Sequence, residues 1–332
     1  MDPLSQGLLG VALPQSFSKK KFVRLAGIFG FFSGMFPDFD IFIRSSEDPL
    51  LFLEFHRQFT HSLIFIPFGG LICSILFFFI LGRRQNCSFR QTYFYCSLGY
   101  GTHALLDACT SYGTLLFWPF SYERISWNNI SIIDPLFTIP IFIFLFTAFL
   151  KNKRKFSRIA LAWAILYLAL GIFFRNAAID MGKQIATRRG HFPVQVEAKP
   201  SIGNIFLWKT IYENSGRYYV DAVRTGLSPK IFPGDSIAKL NLKSSFLWLK
   251  KNSQQSKDIE RFRWFSNGYL ALDKKNNNRI IDVRYSMIPN RIEPLWSIEL
   301  SKNADFSAHV SYKRNRSLSR KTIKLFLEML WE

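Results

Sequence analysis

The chain has 332 residues, 36 of them phenylalanine, and 43 Lys and Arg against 23 Asp and Glu give it a formal charge of +20. A mean hydropathy of +0.07 averages two unlike halves, apolar runs up to about residue 174 and a water-compatible sequence beyond. The four cysteines, with no CxxC pair, argue against a disulfide framework and a structural zinc ribbon, and basic loops between apolar runs account for much of the charge without nucleic acid.

The first residues lack the basic-then-apolar order of a cleavable signal. Leu4 to Leu13 read as a short apolar helix, too short to cross a hydrocarbon core of about 30 Å and expected at an interface or dipping part way in. Lys19, Lys20, Lys21 and Arg24 precede a first apolar run from Phe22 to Phe36, which Pro37 stops. At about 1.5 Å per residue that run falls short of a full crossing, so Asp38 and Asp40 in PDFD are expected below the far headgroups.

The polar loop RSSEDP leads to HRQFTHS, with His56, Arg57 and His61, and a second run from about Ser62 to Leu81 that Thr60 is placed to cap. A third run, about Thr92 to Thr110, carries His103 and Asp107 toward its end; a fourth opens at Asp134 and Pro135 and reaches Leu150. After KNKRKFSR, a fifth runs from about Ile159 to Phe174, and FRNAAIDMGKQIATRR is expected to continue that helix into water.

The expected fold is therefore a helical membrane domain over residues 1–175, with about five transmembrane helices plus the short N-terminal helix. A soluble β-rich α+β domain follows over 176–332. Its strand-like runs are IFLWKTIY, RYYVDAV, RFRWF, YLAL, RIIDVRY, LWSIEL and FSAHVSY, with a helix at KTIKLFLEMLW. The basic stretch YKRNRSLSRKTIK reads as a solvated face or a contact for anionic headgroups.

Placing the basic loops at 19–24, 83–90 and 151–158 in the cytoplasm makes Asp38, Asp40, His56, His61, His103 and Asp107 converge on the opposite membrane face, with the second domain hanging over them. Ionisable groups at that depth mark a functional site by default. Three of the five histidines fall there. Histidine with carboxylate suits zinc, manganese or iron, and the four-residue spacing of His103 and Asp107 puts both on one helical face. Six such residues are enough for one divalent ion with an open position, or for two. Arg57 is placed as an anion clamp. Taken singly, each element has a plainer reading: a buried packing pair at HxxxD, a helix-breaking turn at PDxD, solvated interfacial histidines at HRQFTHS.

At PDFD, HRQFTHSLIF, HALLDACTSYGTLLFWPFS and IIDPLFTIP, and at the N-terminal MDPLSQGLLG, the chain resembles the YdjM-like family of bacterial inner-membrane proteins, described as membrane-bound metal-dependent hydrolases. The resemblance implies a metal-binding role for Asp38, Asp40, His56, His61, His103 and Asp107, and a supporting role for Arg57, Asp134 and the SYGT turn. Two positions depart from the family pattern. Gln6 stands where some members carry a histidine, and Gln58 where a glycine is common.

The leading expectation is a hydrolase using zinc or manganese, one or two ions, at the outer face of a bacterial inner membrane. Arg57 and Asp107 would be catalytic, the partners would be the lipid bilayer and a lipid-linked or phosphate-containing substrate, and the C-terminal domain would be periplasmic. The alternative is a non-enzymatic, metal-stabilised membrane scaffold whose outer domain binds a partner. A metal-free HxxxD lipid phosphatase would need more basic clamp residues than Arg57 and Arg124, a diiron desaturase more histidines, and transport some sign of repeated halves.

Overall fold

The computed structural model describes residues 1–315 and 319–331, so residues 316–318 of the basic stretch YKRNRSLSRKTIK lie outside the described residues. The chain divides into a helical unit (1–42, 55–173 and 202–205) and a sheet-rich unit (43–54, 174–201 and 206–332).

The helical unit contains α1 (Pro3–Phe17), α2 (Val23–Met35), α4 (Ile66–Phe77), α5 (Phe89–Cys109) and α6 (Pro135–Lys151). The short α3 (Leu51–Phe55) ends the 43–54 segment, and α7 (Arg154–Arg188) begins in the helical unit and ends in the sheet-rich one. Among the described residues three stretches are long and apolar enough to cross a membrane, Lys20–Phe42, Leu63–Gly82 and Arg154–Arg188, and Pro135–Lys151 is a shorter apolar helix. The apolar run ending at Phe174 does continue as helix, to Arg188.

Asp2 caps α1 by accepting from Ser5 N, Ser88 and Gln91 form a reciprocal capping box on α5, and Asp134 caps α6 with Pro135 in its first turn. Thr60 caps nothing. The Leu63–Gly82 stretch opens with a tight 3₁₀ turn and no side-chain cap, because the Thr60 hydroxyl donates to Asp40 instead.

The N-terminal apolar stretch does form a helix, α1. It is packed inside the helical unit against α2, α5 and α6. The reason is glycine: a Cβ on Gly30 would sit 2.0 Å from the Gly10 carbonyl oxygen, and one on Gly99 would sit 2.7 Å from the Gly30 Cα. Backbones meet where side chains are absent, which is how helices associate when lipid removes the hydrophobic incentive.

The sheet-rich unit holds two antiparallel sheets. The first comprises β1 (Val196–Pro200), β2 (Leu207–Asn214), β3 (Arg217–Arg224) and β4 (Lys230–Phe232) in that order, with β5 (Ser236–Ala238) also on β3. The second runs β6 (Leu270–Asp273), β7 (Asn276–Asp282), β8 (Trp296–Glu299), β9 (Ser311–Arg314). The β2–β3 hairpin pairs Asn214 with Arg217 across Ser215 and Gly216, both at positive φ (51° and 72°), the geometry a two-residue hairpin turn demands. Ile211, Tyr218, Val220 and Ile237 share one apolar core with Ala271, Ile281 and Val283, so both sheets bury the same cluster.

RFRWF, read as a strand, is instead the end of α9 (Gln254–Phe265), which follows the single-turn α8 (Leu242–Ser245). Ser253 caps α9, and Ile259, Phe262 and Phe265 are buried at helical spacing, so the period of burial outweighs the β preference of the aromatics. Of FSAHVSY only the last two residues enter a strand. KTIKLFLEMLW forms α10 (Arg320–Trp331), whose Met329 is buried with Leu207, Ala222 and Ile288.

Candidate metal centre

Three chain breaks deliver the site residues. Pro37 ends α2, and the following 3₁₀ turn, Phe36–Phe42, presents Asp38 and Asp40. The HRQFTHS stretch turns sharply at Arg57, whose φ of 66° lies in the left-handed region, and then forms a single 3₁₀ turn that buries His61. His103 and Asp107, one helical turn apart, face inward near the end of α5 and are fully buried. The left-handed residue is Arg57 and not Gln58, whose φ is −98°.

Four donor atoms face one another: Asp38 Oδ1, His61 Nε2, His103 Nε2 and Asp107 Oδ2. The two imidazole nitrogens are 2.9 Å apart. Asp38 Oδ1 lies 3.6 Å from His61 Nε2 and 3.4 Å from His103 Nε2; Asp107 Oδ2 lies 3.3 Å and 3.6 Å from the same atoms. A tetrahedral ion about 2.0–2.1 Å from nitrogen and oxygen ligands needs donors separated by about 3.3–3.4 Å, and these separations are close enough for the four atoms to hold an ion.

The hydrogen bonds behind the donors agree with that fit. His103 Nδ1 is 2.6 Å from the Gly34 carbonyl, an acceptor, so it carries the proton and Nε2 presents its lone pair to the centre. His61 Nδ1 is 3.2 Å from Asp40 Oδ2 and 2.9 Å from the Thr60 hydroxyl, which assigns the same tautomer. Two lone pairs facing each other beside two carboxylates form a cluster that could hold a metal ion. Asp107 Oδ2 is buried and accepts no hydrogen bond among the described residues, although Arg57 Nε is 3.0 Å away.

Asp40 sits behind this set. Its Oδ1 is 2.7 Å from His56 Nδ1, and its Oδ2 accepts from Arg57 N and the Thr60 hydroxyl, each at 2.9 Å. Asp38, Asp40 and His56 also lie close enough to hold an ion, but Asp40's lone pairs are already engaged in orienting its neighbours. All six candidate metal residues thus come together, four around one point with Asp40 and His56 beside them.

Arg57, expected as an anion clamp on a phosphate or carboxylate, is 3% exposed and turned inward, with Nη1 donating to Thr110 Oγ1 at 3.1 Å and Nε beside the Asp107 carboxylate. Gln6 Nε2 donates to the other Asp107 oxygen at 2.8 Å, and the Met1 ammonium pairs with the same atom. Gln6 therefore supports a ligand from the position where a histidine would offer one. Asp134 is occupied at the start of α6, accepting from Leu136 N, Phe137 N and the Tyr167 hydroxyl. In the SYGT turn Thr114 pairs with Ile125, and Arg124 donates to the Gly113 carbonyl at 2.9 Å. The Gly34 carbonyl and the Tyr100 hydroxyl, which donates to Thr60 O at 2.7 Å, are supports that only the helix packing reveals.

A family model described as YdjM inner membrane protein matches residues 1–178. No curated protein and no solved structure matches the chain.

Proposed function

The chain belongs to the YdjM inner membrane protein family, and from that premise we propose that it is a membrane-bound, metal-dependent hydrolase. The observation that carries this reading is the His₂Asp₂ donor set, with each histidine's second nitrogen held by an acceptor. Asp38, His61, His103 and Asp107 would hold the ion. A divalent ion in such a site lowers the pKa of bound water and polarises a phosphoryl or acyl oxygen. Asp40, Gln6 and Arg57 keep the ligands in place. His56, with Nδ1 on Asp40 and a quarter of its side chain exposed, is placed to pass a proton at Nε2.

The proposed topology has five crossings with α1 packed among them, the basic loops cytoplasmic and the sheet-rich domain periplasmic. The support is that Asp38 follows α2, His61 precedes α4 and His103 ends α5, while basic loops occupy the opposite ends of those helices. An ion near the outer headgroups suits a lipid-linked or phosphate-containing substrate.

One observation favours a second reading, a metal-stabilised scaffold that is not an enzyme: four protein donors cluster together, the number that fills a structural zinc site, whereas catalytic zinc keeps a position open. Asp38, the one ligand with an exposed side (22%), is where an opening would have to form. The deciding experiment measures metal per chain in detergent-purified protein and then hydrolysis of phospholipids and phosphoesters, for wild type and Asp38→Asn. Metal-dependent turnover that Asp38→Asn loses supports the enzyme; bound metal without turnover on any substrate supports the scaffold, and a folded wild type that takes up no divalent ion sinks both.

A further inference from the structure

Within the helical unit, α2 and α6 both pack on α1 and touch each other only sparingly, which leaves a trench between them. Its floor is α1 at Val11, and its walls are Phe31 and Phe32 of α2 and Phe142, Phe146 and Phe149 of α6, around a space of about 220 Å³. Phe142 and Phe146 stack one helical turn apart, their rings 5.9 Å and 13° from one another, so the α6 wall is a continuous apolar strip. Gln15 is the polar side chain in the lining, and its Oε1 is occupied, accepting from the Ser157 hydroxyl at 2.7 Å. The other lining side chains are hydrocarbon.

One end of the trench is cationic. The Arg24 guanidinium lies 5.4 Å from the centre of the Phe149 ring, and it donates from Nε to the Phe149 carbonyl at 2.9 Å and from Nη2 to the Leu150 carbonyl at 3.2 Å. These bonds reach from α2 to the end of α6 and use two of the five N–H groups that a guanidinium carries. Lys20, Lys21 and Lys151 are exposed near it in the sequence, and residues 3–37 and 135–173 contain no Asp or Glu. An anion at this end must come from outside the chain.

We propose that the trench binds an anionic phospholipid, with one acyl chain along the α6 phenylalanines and the headgroup phosphate on Arg24. Depth supports this occupant: Phe142 to Phe149 is about 11 Å of helix, within the roughly 15 Å of hydrocarbon in one leaflet. Spread over that length, the space is narrower than a helix, which with its side chains is about 10–12 Å across, so a second copy of the chain fits it poorly. The lipid fills the gap between α2 and α6 and secures α1 beneath it. Arg24 is at the start of α2 and Asp38 lies past its other end, so this site is separate from the metal cluster and stands without the metal reading.

The test uses the full chain purified in detergent, with dioleoyl phosphatidylglycerol and dioleoyl phosphatidylcholine as competing probes and native mass spectrometry to count the lipids retained. The wild type should keep one phosphatidylglycerol per chain with about tenfold preference over phosphatidylcholine. Arg24→Gln should lose most of that preference and Arg24→Lys keep it, while Val11→Phe, which fills the trench from its floor, should retain neither lipid. Arg84→Gln, which removes an exposed charge from the loop before α5, should behave as wild type. A wild type that takes up both lipids equally and without a stoichiometric limit overturns the proposal, and so does wild-type retention in Arg24→Gln. A dimer that Val11→Phe separates also overturns it, because a second copy would then fill the trench. Should Val11→Phe lose its helical circular dichroism, the competition in wild type and Arg24→Gln still decides.

Discussion

Asp40 shows how much of a site's order can rest on a residue that need not touch the ion. It orients His56, His61, the Thr60 hydroxyl and the Arg57 backbone together, so the strained left-handed turn at Arg57 is held from one carboxylate. Gln6 does the same for Asp107 from another helix. Gln6→Ala should therefore lower metal affinity about tenfold, while His103→Ala, which removes a donor, should abolish binding; competition titrations with Co²⁺ separate the two. In the sheet-rich unit, Lys209 is buried with its ammonium on the Ser286 hydroxyl and the Arg291 carbonyl, and burial pushes its pKa from 10.5 down to about 7. Between those values the unfolded chain binds a proton that the folded chain does not, so this residue makes stability rise as pH goes from about 7 to 10.5. Denaturant melts of the full chain across that range should show the rise, and Lys209→Met should flatten it.

At the scale of elements, the glycine contacts of α1, α2 and α5 place the site. Gly34 lies one turn beyond Gly30 on α2, and its carbonyl fixes His103, so the separation of α2 and α5 sets the ligand's orientation. Gly30→Ala would drive a methyl against the Gly10 carbonyl and force α1 away, at a cost of about 1–3 kcal/mol. The expected outcome is a lower melting temperature together with weaker metal binding. Gly101→Ala, whose added carbon meets only Ile66 at 3.5 Å, should change neither. A Gly30→Ala chain that melts and binds like wild type would show that the close packing is not what positions His103.

Across the whole molecule, metal binding would stabilise one unit more than the other. Both units bury apolar cores, and the helical unit also gathers two carboxylates and two imidazoles at one point, which a bound divalent ion would neutralise and so stabilise. Stripping divalent ions with a chelator should lower the helical unit's thermal transition more than that of the sheets, followed separately by helix and tryptophan signals; equal shifts would tell against metal-linked stability. The six candidate residues, the break at Pro37, the caps at Asp134 and the division between an apolar half and a sheet-rich half were legible in the sequence, because residue type, hydropathy and local periodicity encode them without reference to any distant contact. The tertiary structure alone decided that α1 is buried among its neighbours, that Asp40 and Gln6 orient the candidate residues His61 and Asp107, that Arg57 turns inward, and that residues 43–54 are held by Arg261. Each of these depends on which backbones approach closely enough for one group to reach another far away in the chain, and no local pattern carries that distance.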